Sequence, residues 1–197
     1  MDLISRIGQH FTDSAQIKLE AGATLAGPIA QAAKLMTDCL VGNGKLLACG
    51  NGGSAADAQH FAAELVGRFE VERQGMSAIA LTTDSSIMTA VANDYGYDRV
   101  FERQVRALGQ AGDVLLAIST SGNSPSIVEA IGAAHNNDLH VVALTGKGGG
   151  KIAGILREGD IHICVPAKRT ARIQEVHLLT VHCLCDAIDS LLLGVEA

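Results

Sequence analysis

Two serine- and glycine-rich loops and two polar sets on helical stretches hold most residues in this sequence that could do chemistry. "GNGGS" (50–54) follows the apolar run "KLLAC" and opens the alanine-rich "AADAQHFAAEL". "STSGNS" (119–124) ends another apolar run and leads into "PSIVEAIGAA". Glycine lets backbone N–H groups approach an anion closely, and a helix N-terminus presents unpaired N–H donors with a favourable dipole. Ser119, Thr120, Ser121 and Ser124 add hydroxyl donors, which points to a phosphate monoester held without a lysine. The competing reading is a helix cap, with Ser124 capping and Pro125 in the first helical position. That reading leaves Ser119 to Ser121 unexplained. "GNGGS" matches neither the dinucleotide fingerprint nor a P-loop, and alone it reads as a turn. "KGGGK" (147–151) also reads as a turn.

His60 and Glu64 stand four apart and share one helix face. A solvated polar stripe is the bland alternative, but "AADAQHFAAEL" supplies few other charges. In "ARIQEVHLLTVHCLCDAID" (171–189), Gln174, Glu175, His177 and His182 interrupt an otherwise apolar helix. Satisfied core or interface histidines are the favoured explanation on these residues alone. Asn93 and Asp94, in "ANDYGYD", read as a polar loop serving either a turn or a substrate.

These residues need a scaffold. Short apolar runs at 45–50, 77–81, 113–119, 140–146 and 160–166 alternate with helical patterns. Continuous rather than alternating apolar runs indicate strands covered on both faces. The fold class is therefore α/β: a doubly wound, flavodoxin-like parallel sheet of about five strands flanked by helices, in one domain over 1–197. Ligands in such sheets bind beyond the carboxyl ends of the strands, where both loops fall. Residues 1–43 form a helical extension outside the sheet. It is read as one helix bearing Leu3, Ile4, Ile7 and Phe11, then a second opened by Pro28 and running to about Val41. Its apolar stripe must cover the core or pack on another subunit.

The composition narrows the function classes. The net charge is −6, with no basic block, which argues against nucleic-acid binding by phosphate neutralisation. No apolar run approaches the ~20 residues of a membrane helix, and the N-terminus lacks a signal-peptide core. A cytoplasmic protein is expected. The five cysteines are odd in number and show no paired metal spacing, so all are expected as reduced thiols.

Taken together, "CGNGGSAADAQHFAAELVGRF", "LTTD", "AVANDYGYD", "AISTSGNS", "ALTGKGGG" and "ARIQEVHLLTVH" resemble the sugar-isomerase (SIS) domain family, and within it the phosphoheptose isomerase branch. The resemblance spans nearly the whole chain. It implies isomerisation of D-sedoheptulose 7-phosphate to D-glycero-D-manno-heptose 7-phosphate for lipopolysaccharide heptose, a homotetramer with sites at subunit interfaces, and one zinc ion per subunit. The implied zinc ligands are His60, Glu64, Gln174 and His182. The implied substrate contacts are Asn51, Gly52, Gly53, Glu64, Asn93, Asp94, Ser119, Thr120, Ser121, Ser124 and Gln174.

A sister branch holds a non-enzymatic regulator that binds the bacterial replication initiator. This chain resembles it too, but keeps Glu64 and His182, which that branch lacks. A sugar-phosphate sensor without turnover is a third reading. For the enzyme, Glu64 is the candidate base forming a cis-enediol, and His182 the acid at the oxygens or the partner base. Gln174 and His182 are eight apart, ~12 Å of rise and roughly 80° of rotation on one helix. That separation predicts a composite site needing the oligomer, with His177 as a lesser candidate ligand.

Overall fold

Each apolar run forms one strand of a single sheet. In the computed structural model, which describes residues 2–194, β1 (Leu46–Gly50), β2 (Ala78–Ala80), β3 (Val114–Ser119), β4 (His140–Gly146) and β5 (Ile161–Val165) lie in the order β2-β1-β3-β4-β5. All pairings are parallel. Side chains alternate across the sheet, so each strand feeds two cores. Leu46, Ala48, Leu116, Ile118, Val142 and Leu144 pack under α1 (Leu3–Val41), α2 (Gly53–Val66) and α7 (Thr170–Leu193). Leu47, Cys49, Leu115, Ala117, Val141 and Ala143 pack on the opposite face. There they meet α4 (Val100–Leu108), α5 (Pro125–Asn136) and the short α6 (Gly150–Ala153). Burial on both faces is why β1, β3 and most of β4 are apolar.

Helix α3 (Ser85–Tyr95), capped by Asp84 accepting from the Ile87 amide at 2.9 Å, buries none of its residues. A 3-10 turn, Tyr97–Arg99, joins it to α4.

The N-terminal extension departs from the two-helix expectation. It is one helix of 39 residues with Pro28 inside it. Proline removes one backbone hydrogen bond and clashes with the preceding turn. Continuity survives because one buried stripe crosses the proline in phase. Ile17, Ala21 and Leu25 precede it, Ile29 continues it, and Ala32, Met36 and Cys39 follow. Breaking the helix at Pro28 would rotate half of that stripe off the core.

Helix α7 corrects a second expectation. It is long and apolar enough to cross a membrane by length and composition, with a mean hydropathy of 1.5. Its apolar stripe (Ile173, Val176, Val181, Leu184, Ile188) is instead buried in the core under α1 and α2. All five cysteines are free thiols. Burial pushes Cys49 and Cys185 up to about 12 and Cys39 to about 11, which makes these three packing residues.

Candidate functional site

The chain runs from β1 outward to β2 and then crosses back to β3 on the other side of β1. This reversal makes β1 and β3 the switch point, where doubly wound sheets open a crevice. Gly50 pairs with Ile118, so "GNGGS" and "STSGNS" leave the sheet side by side. A hydrogen bond closes the gap between them: Asn51 Nδ2 donates to Ser126 Oγ at 3.0 Å. Tyr97 donates its hydroxyl to Asn51 Oδ1 at 2.9 Å, bringing the segment after α3 to the same crevice.

Ser124 precedes Pro125 as a cap would, yet its hydroxyl makes no capping bond. It lies 3.0 Å from Ser119 Oγ instead. Ser121 Oγ accepts from the Asn123 amide at 3.1 Å. The serines thus face one another across a tight loop rather than serving only the helix end. The loop turns at Gly122, with φ +66°, where a Cβ would collide with the Gly149 backbone. "KGGGK" is therefore a brace as well as a turn. Ile152 N–H donates to Gly122 O at 3.0 Å, and Lys151 N–H to Asn123 Oδ1 at 3.0 Å. Asn123 has no assigned part in the sequence, and the triple glycine reads there only as a turn; nothing in either stretch signals the contact between them.

Helices α2 and α7 run side by side in the same direction. Gln174 lies against Gly53, where a Cβ would run into its Nε2. One stretch further along, His182 Nε2 stands 3.4 Å from His60 Nε2. His60 Nε2 also lies 2.9 Å from Glu64 Oε1. The two imidazoles meet edge to face, 5.0 Å between centroids, and Phe69 covers His182 at 5.8 Å. The His60 and Glu64 side chains keep 37% and 23% of their exposure, so the cluster is sheltered but reachable. His60, Glu64 and His182 thus converge within a single chain, and Gln174 sits nearer the glycine turn.

The donor set suits a zinc ion. Tetrahedral ligands at ~2.0–2.2 Å stand roughly 3.3–3.6 Å from one another. The His60–His182 separation already has that value, while the His60–Glu64 contact must open slightly. Among the described residues no three His, Cys, Asp or Glu side chains stand ready around one point. His60 and Glu64 are paired with each other instead, and a cation would exchange that contact for two ligand bonds.

Several sequence expectations change. His177, the lesser ligand candidate, is fully buried with Nε2 3.0 Å from Thr145 O. Burial lowers its pKa to about 4, so the ring is neutral and donates that bond. It belongs to the core under β4. Asn93 and Asp94 lie in the last turn of α3, not in a loop. Both are exposed, and Asn93 Nδ2 donates to Asp94 Oδ1 at 2.8 Å. Asp57, three residues before His60, has a buried Oδ2 without a partner, and burial raises its pKa. Tyr97, Ser126 and Phe69 were missed because each is an ordinary residue made relevant only by its position.

A family model for the SIS domain matches residues 9–146. The chain is 67% identical over 196 residues to a phosphoheptose isomerase of Dechloromonas aromatica, covering 100% of both chains. Two solved phosphoheptose isomerases share its fold. The Neisseria gonorrhoeae structure superposes with a TM-score of 0.92 at 57% identity, over 96% of this chain and all of its own. The Francisella tularensis structure gives 0.94 at 47% identity, with the same coverage. The relatives named here are isomerases, and nothing among them supports the regulator reading. By its crevice, its paired loops and its full-length relatives, the chain belongs to the phosphoheptose isomerase branch of the SIS domain family.

Proposed function

We propose that this chain interconverts D-sedoheptulose 7-phosphate and D-glycero-D-manno-heptose 7-phosphate in the cytoplasm, supplying heptose for lipopolysaccharide. The observation that carries this reading is the convergence of His60, Glu64 and His182 on helices that border a serine-lined crevice. Ser119, Thr120, Ser121 and Ser124 hold the phosphate, with Gly52 and Gly53 admitting the chain of the sugar. Asn51, braced by Ser126 and Tyr97, fixes the wall between the two loops. Anchoring the phosphate removes the substrate's freedom and presents its far end to α2 and α7.

At that end the reaction moves a proton between C1 and C2 and redistributes hydroxyl protons. Glu64 takes the carbon-bound proton to give the cis-enediol and returns it to the neighbouring carbon. His182, in contact with His60, transfers protons at the oxygens. His60, Glu64 and His182, with Gln174 of α7 beside Gly53, would hold zinc, which when bound would polarise the carbonyl and hydroxyl oxygens as a Lewis acid.

The assembly we propose is a homotetramer with sites at subunit interfaces. Leu3, Ile4, Ile7 and Phe11 are 55–85% exposed on α1. An apolar groove of about 270 Å³ lies between α1 and α7, lined by Ala21, Leu25, Ile29, Val176 and Leu179 among others. Such surfaces favour association with further copies. Asn93 and Asp94, exposed near the end of α3, are the substrate contacts best placed to work with a neighbour.

Incubating the chain with sedoheptulose 7-phosphate and following the aldose product tests the reading. Turnover that depends on Glu64 is expected. No product, with and without added zinc, would overturn it.

A further inference from the structure

We propose that Arg73 is a positioning residue that holds the α2 donors in register with those of α7; the inference rests on the isomerase reading above. The sequence alone offers no hint of this role, because Arg73 sits in a charged connecting segment, "RFEVERQG". In the structure its side chain is only 4% exposed.

The guanidinium makes two kinds of contact. Its NH2 group donates to Glu64 O at 2.9 Å. Its NH1 group donates to Leu65 O at 2.7 Å and to Gly67 O at 3.1 Å. These carbonyls belong to the end of α2, where the last turn lacks amide partners of its own. Nε donates to Asp189 Oδ1 at 2.8 Å. Asp189 lies on α7, seven residues beyond His182, on the same face and about two turns away. Its carboxylate is 7% exposed, and Oδ2 is buried without a partner. Among the described residues, Arg73 is the only side chain that Asp189 bonds to or pairs with.

One planar group therefore grips the backbone of Glu64 itself and the helix that carries His182. Sliding α7 along α2, or rotating the end of α2, must break contacts whose geometry a rigid fork fixes. A lysine could keep the charge opposite Asp189 but could not also reach the carbonyls of 64, 65 and 67. The clamp sits beyond the metal and proton-transfer groups and far from the serine loop. Its loss should disturb the donors and leave phosphate anchoring intact.

Two variants of the full chain separate positioning from simple stability. Arg73→Lys keeps the buried charge balanced. Arg73→Met with Asp189→Leu removes both charges and fills the space with apolar atoms. Zinc affinity is read by competition with a chromophoric chelator, alongside thermal melting, kcat and KM. We expect folded variants with zinc affinity down 10–100-fold, the range for residues that orient ligands. In the same variants kcat should fall while KM changes less than twofold.

A folded variant with wild-type zinc affinity and kcat overturns the proposal. Loss of fold in both variants makes Arg73 a structural residue and overturns it too. A wild-type chain that binds no zinc but turns over removes the metal reading alone, and the split between kcat and KM then decides. A wild-type chain that binds zinc but does not isomerise removes the isomerase reading, and zinc affinity then decides. A chain with neither property overturns both.

Discussion

His60 and His182 are 122 residues apart in sequence, yet their Nε2 atoms stand 3.4 Å from one another. Neither histidine is buried deeply enough to be a core residue, and each comes from a different helix. The pairing turns two separate polar stripes into one cluster with Glu64.

Glu64→Gln removes the candidate base and keeps the shape of the side chain. We expect a folded chain that still binds the sugar phosphate, with kcat reduced by ~10²–10⁴-fold, the usual share of general acid–base catalysis. Single-turnover kinetics with a binding measurement check this. Wild-type turnover would remove Glu64 from that role.

Gly53→Ala places a methyl group where the Gln174 amide lies. Because the obstacle is the end of a flexible side chain, Gln174 swings aside and the fold survives. Thermal melting should change little. Turnover should fall roughly 10–100-fold, as expected when a positioned group moves by about an ångström.

His177 makes stability depend on pH. Its folded pKa, about 4, lies below the ordinary histidine value, because burial disfavours the charged ring. Above pH ~6.5 both folded and unfolded states are neutral there and nothing is lost. As the pH falls below that, the unfolded state takes up a proton that the folded state refuses. Stability therefore declines from about pH 6.5 down to pH 4, by on the order of 2–3 kcal/mol from this group. Urea denaturation at pH 7 and 4.5, repeated with His177→Gln, should show that part of the decline disappear.

Asp113 binds the far end of the sheet, away from the crevice. It accepts from the Lys45 and Gln110 amides at 2.9 and 2.8 Å and from Lys45 Nζ at 2.6 Å. Asp113→Ala leaves two partly buried amides and a partly buried ammonium without this partner, at a cost of about 1–3 kcal/mol. Well below its melting temperature the variant should retain the KM and kcat of the parent. A comparable loss of activity would tie the two ends of the sheet together.

The sheet was legible because burial on both faces leaves a direct mark, an unbroken apolar run. The serine loop was legible because hydroxyls and glycines cluster within a few residues. Pro28 misled because local backbone chemistry marks a helix start, whereas the stripe from Ile17 to Cys39 decides continuity over a longer range. Residue type alone does not separate His177 from His182; only the family resemblance ranks them. Five residues apart, they point about 140° away from one another on a helix. Only the packing of α7 shows that one faces β4 and the other α2. Asn93 and Asp94 gave a turn signal because their residue types favour loops, but Gly96 ends the helix two residues later than those types suggest.

Helix α1 has a consequence for how the molecule is made. Its principal partner is α7, and Ser14 meets Glu175 across 161 residues of sequence. A helix made early is thus covered by one made more than a hundred residues later. At ~5–20 residues per second, its apolar stripe stays bare for roughly ten to thirty seconds of synthesis. The nascent chain carries an uncovered adhesive surface until α7 emerges.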